Sequence, residues 1–151
     1  MSRTMQLIPL LGKALKDDEV IDHLEGMEME VVYDFDRLHE GQPDKYWASS
    51  KRVGIQLRFN EDQILDNIFL YIAADEGFAA FALGNSDVPV FRTAAEVQAF
   101  GDAQRLQVTK GQANFLGVSR DWIRLGFGAY SIHYEFRGGS LARVTVSRKK
   151  H

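Results

Sequence analysis

The chain has 151 residues and a formal net charge of −3; 45% of it is apolar, 26% is charged, and it carries 13 glycines, three prolines and no cysteine. This composition excludes the disordered, collagen-like and disulfide-stapled classes and rules out thiol catalysis. A domain of this length buries roughly 70% of its unfolded surface, so one domain over residues 1–151 can fold without a metal, and no cofactor is expected. The longest apolar stretches, residues 7–11, 68–74 and 78–83, fall well short of the ~20 residues a bilayer requires. No basic segment followed by a long apolar one opens the chain, so the expectation is a cytoplasmic protein without membrane contact.

In chain order, a helical turn is expected near Pro9, followed by a helix over residues 17–25. Asp17 or Asp18 can cap that helix, Asp18 and Glu19 suit its positive end, and Gly26 is expected to stop it. Met29, Val31, Tyr33 and Phe35 then alternate with Glu28, Glu30, Val32 and Asp34, the pattern of a half-buried strand with one acidic face. A further strand is expected at 46–50. Ile55, Leu57 and Phe59 share one face of a hairpin that turns at 60–63 and returns through Leu65 to Leu70. The apolar segment 78–83 is positioned to pack across the middle of the molecule. Thr93 and Glu96 form a capping box that starts a second helix. A strand at 121–125 precedes a closing hairpin in which Tyr130, Ile132, Tyr134 and Phe136 share a face, with the turn at 137–140 built on Gly138-Gly139.

These elements repeat. Glu19 and Val20 align with Glu96 and Val97 at an offset of 77, and Ile55-Gln56-Leu57-Arg58-Phe59 aligns with Ile132-His133-Tyr134-Glu135-Phe136 at the same offset. Beyond the turn, Leu65 to Leu70 aligns with Leu141 to Val146 at 76. The expected fold class is therefore α+β: two similar halves, approximately 7–72 and 93–148, each with a short helix or helices packed on an antiparallel β-meander. This layout resembles the tandem architecture of the β-lactamase inhibitory protein and of the related small lipoprotein module of the outer-membrane assembly machinery. Asp121-Trp122 followed by Tyr130-Ser131-Ile132-His133-Tyr134 also resembles the closing segment of small bacterial immunity-type proteins. The first likeness implies a fold and carries no function across. Neither carries over a functional residue, and the exported families' signal and disulfides have no counterpart here.

Charge is unevenly distributed. Residues 17–44 hold eleven acids and one base, a balance of −10, whereas residues 103–151 hold nine bases and two acids, a balance of +7. An acidic face of this kind speeds association with a basic partner and sets its register. Glu28, Glu30, Asp34, Asp36, Glu40 and Asp44 are the candidate partner-binding residues, with Tyr46 and Trp47 as aromatic anchors. Nucleic acid is the less expected partner, because the sequence pI is near 5.8 and most aromatics of the basic half fall on an apolar strand face. No catalytic residue is assigned. The four histidines lack metal spacing, Asp34-Phe35-Asp36 lacks a third ligand, Gly126-Phe127-Gly128 lacks a dinucleotide context, and no nucleophile elbow occurs. The functional expectation is a non-enzymatic protein-binding inhibitor, a bacterial immunity protein that neutralises a cognate toxin, with nucleases among the candidate toxins, through its acidic face. The alternative is a small-ligand-binding or enzymatic α+β domain with a pocket near the junction of the halves. Oligomeric state is open at this level.

Overall fold

A computed structural model describes residues 5–34, 45–75, 77–82, 84 and 86–149. The fold is α+β, with eight antiparallel strands in one sheet and two α-helices. A 3₁₀ turn at Ile8–Leu10 is followed by α1 (Asp18–Gly26), β1 (Glu30–Asp34), β2 (Lys45–Ser50), β3 (Ile55–Phe59) and β4 (Leu65–Tyr71). Then come α2 (Ala94–Ala103), β5 (Gln107–Phe115), β6 (Val118–Gly126), β7 (Tyr130–Arg137) and β8 (Ser140–Arg148). The spatial order is β1-β2-β3-β4-β8-β7-β6-β5, so two meanders meet where β4 pairs with β8. β1 and β5 are the edges.

Both helices start and stop by local chemistry. The Asp17 carboxylate accepts from the Glu19 amide and the Thr93 hydroxyl from the Glu96 amide, each satisfying a donor that the first helical turn leaves open. Gly26 does not stop α1. It is the last helical residue, and the left-handed position belongs to Glu28 (φ 52°), with the Met29 amide donating to the Leu24 carbonyl and the Glu28 amide to that of Glu25. α2 ends the same way at Arg105 (φ 55°), where the Leu106 amide donates to Gly101 and that of Arg105 to Asp102. Both are Schellman closures with a charged residue where glycine is usual.

Alternation along the strands sorts the sheet into two faces. On one, Ala48, Leu57, Ile68, Val146, Ile132 and Leu125 line up across six strands and are fully or almost fully buried with Leu7, Leu10, Val20, Leu24 and Val97, so both helices and the N-terminal turn cover this face. Tyr134 is buried here too, and its hydroxyl donates to the Pro89 carbonyl at 2.6 Å; burial raises its ionisation well above the usual phenol range. Segment 78–82 folds over the ends of β3 and β4: Phe81 donates its amide to Tyr71, and Ala79 donates to Lys51. Gly54 (φ 84°) allows this, since a Cβ there would collide with the Ala79 carbonyl oxygen. The other sheet face carries no helix among the described residues.

Candidate functional site

The acidic candidates lie at the β1 end of the sheet. Glu28 sits in the α1 closure and not on a strand, so it does not stack above Glu30 as period-two spacing would have it. Glu30 is exposed on the helix-free face opposite Ser49. Asp34 pairs through its backbone with Lys45, while Asp36, Glu40 and Asp44 lie outside the described residues. Tyr46 is half-buried and packs against the core, so it serves the interior. Trp47 points to the opposite face, also half-buried, with its ring 6.1 Å from that of Phe69. β1 itself leaves Val31 43% and Val32 57% exposed on opposite sides of the strand. One of its backbone edges pairs with β2, and none of the other described strands takes the second. The exposed α1 residues Asp18, Glu19, Asp22 and Glu25 add to the negative charge before β1.

A second constellation was not anticipated from sequence. On the helix-free face, register brings Trp122 of β6 opposite Glu135 of β7, which is itself opposite Arg143 of β8, and places Arg124 opposite His133 and Thr145 in the adjacent row. The Trp122 indole lies over Gly111 of β5, where a Cβ would approach it to 2.6 Å, and stacks on the His133 ring with centroids 5.3 Å apart. Arg124 places its guanidinium 5.8 Å from the Trp122 ring centroid and 3.5 Å from His133 Nδ1. Glu135 Oε2 is shared by Arg143 Nε at 3.5 Å and Arg137 at 3.7 Å, and Arg137 also reaches Asp75 at 3.0 Å. Burial and the nearby Arg124 and Arg143 guanidiniums hold the His133 imidazole below its ordinary value, only partly offset by Glu135. His133 is therefore a half-buried ring in a stack, not the lone exposed histidine its polar strand position suggests.

Further along the same face, the Asp66 carboxylate accepts from Arg58 and Asn67, and Asn67 accepts from the Ser147 hydroxyl at 2.7 Å. This polar chain runs across β3, β4 and β8 and ties the two meanders together. A cleft of about 880 Å³ opens beside the seam, lined by Ile72, Val90, Phe91 and Leu141 with Arg92 and Glu96 as its charged groups. The Glu96 carboxylate accepts from the Arg92 amide at 3.4 Å, which engages the cleft's one acid within the α2 cap. No group of three or more metal-ligating side chains occurs among the described residues, and no helix there is long and apolar enough to cross a membrane. No protein-family model and no solved structure matches the chain.

Proposed function

We propose that this protein is a non-enzymatic protein-binding inhibitor of the bacterial immunity type, which neutralises a basic cognate toxin in the cytoplasm through the β1 edge. The observation that carries this reading is the edge strand: Val31 and Val32 are exposed on a backbone edge that no other described strand takes, with Glu28 and Glu30 beside them. An open, apolar edge invites strand addition, and flanking carboxylates select a cationic partner over a second acidic copy. The repeat reading gives the site its place. Glu28 and Arg105 close their helices in the same manner 77 positions apart, the offset that relates the two hairpins. We read the protein as two related halves joined at β4 and β8, of which the first has turned acidic and become the partner-facing one.

The test is capture from the native cytosol, with the neighbouring open reading frame co-expressed, followed by salt elution and a growth assay of the captured partner. A single basic partner, toxic when expressed alone and bound more slowly by E28K/E30K at low salt, is the expected result. Unchanged association kinetics of that variant would sink the edge assignment. The seam cleft favours no second reading, because its charged groups do not converge on a vacant point.

A further inference from the structure

We propose that the helix-free face of β6, β7 and β8 binds single-stranded nucleic acid, with Arg124, Arg143 and Arg137 taking phosphates and the Trp122–His133 stack receiving a base.

The outward face of an antiparallel sheet usually carries solvated side chains of mixed sign. Here the Arg137 and Arg143 guanidiniums meet on the Glu135 carboxylate, with Arg124 in the adjacent row. Glu135 is spread over two of them at 3.5 and 3.7 Å, and neither Arg137 Nε nor Arg143 Nε, both shielded from solvent, has a hydrogen-bond acceptor among the described residues. Asp75 answers part of the Arg137 charge. The polar and ring contacts of Arg124 there are a histidine nitrogen and an indole face, both uncharged while His133 is neutral. The patch thus holds more positive charge than it neutralises, on a face that carries no helix among the described residues.

Shape decides between a small anion and an extended one. A small ligand calls for a concave pocket, whereas these side chains stand on a sheet whose neighbouring strands lie ~4.8 Å apart. Alternating cations and ring faces on such a platform suit a flexible polyanion with stackable bases. An acidic peptide would satisfy the guanidiniums but would not extend the Trp122–His133 stack. Gly111 adds to this. Its missing side chain lets the indole lie flat against β5, holding the ring at a fixed height on the platform.

The experiment is fluorescence anisotropy with labelled 15-nucleotide oligo-U and oligo-dT, together with tryptophan emission in a W47F background so that Trp122 is the reporter. Binding should weaken with salt at a log–log slope of about −2, as three single-strand phosphate contacts imply. R124Q and R143Q should each lower the slope by about 0.7, and W122A should cost about tenfold in affinity. K110Q, on the opposite face, should change affinity less than twofold. Trp122 emission should be quenched on binding. Absence of binding at low salt overturns the proposal. Equal binding by a poly-glutamate of matched charge, without Trp122 quenching, overturns it in favour of an acidic polypeptide. Because Arg124 is exposed, R124Q tests the site without a cost in folding.

Discussion

The two faces of the sheet are built from the same eight strands and solve opposite problems. On the helix-covered face the cross-strand row Ala48-Leu57-Ile68-Val146-Ile132-Leu125 is apolar throughout and fully or almost fully buried, so each position is held by its neighbours' shape. On the bare face the corresponding rows hold Arg58, Asn67 and Ser147, then Phe69, Thr145, His133 and Arg124, held by directed contacts between few partners. The apolar core lies on one side of a single strand layer and mostly polar and charged side chains on the other. A residue's parity along its strand therefore decides which of the two a mutation will touch.

The sharpest break of that contrast is a matched pair on adjacent strands. I68A removes a fully buried side chain and should cost about 2–5 kcal/mol, whereas T145A on the bare face should stay within about 0.5 kcal/mol; urea unfolding of both separates them, and equal losses would refute the division. An intermediate loss is expected where the bare face has a buried polar anchor. D66A strands the Arg58 guanidinium and the Asn67 amide and should cost about 2 kcal/mol, with D66N recovering part of it by the same measurement. The smallest effect is one of pH. The folded-state value of His133 lies below the ordinary 6.5, so between those two values the unfolded chain binds more protons and stability rises with pH. Wild-type stability should fall as the medium is acidified below about 6.5. H133Q, which keeps Arg124, Glu135 and Arg143 in place, should flatten that part of the profile; an unchanged slope would place His133 in water.

Much of the buried face was legible in sequence. Ile55, Leu57, Phe59, Ile132, Tyr134 and Phe136 are found where alternation put them, and Asp17 and Thr93 cap as their chemistry dictates. β5 was not, because Gln107–Phe115 is an edge strand whose mostly exposed side chains leave no alternation to read, and Gly111 in its middle reads as a breaker until Trp122 is seen across from it. Gly26 misled for a related reason: a left-handed helix closure prefers glycine but accepts Glu28 or Arg105 when two backbone hydrogen bonds hold it. The Trp122, His133 and Arg124 cluster was invisible because it depends on the cross-strand register of β6 and β7, which residue spacing alone does not fix. The one-dimensional sign was a tryptophan at a position whose parity opposes that of Ile123 and Leu125.

The seam between β4 and β8 also sets a timetable. Asn67 and Ser147, joined through a side-chain hydrogen bond, are 80 residues apart. At synthesis rates of roughly 5–20 residues per second, β4 emerges about 4–16 s before the strand that covers it. For that interval one of the most buried strands in the protein has β3 on one side and an open edge on the other. Such long-range pairing slows folding and exposes the nascent chain to intermolecular strand exchange. The polar pair Asp66-Asn67 at the start of that edge acts as a gatekeeper during the wait, before Ser147 arrives to complete the network.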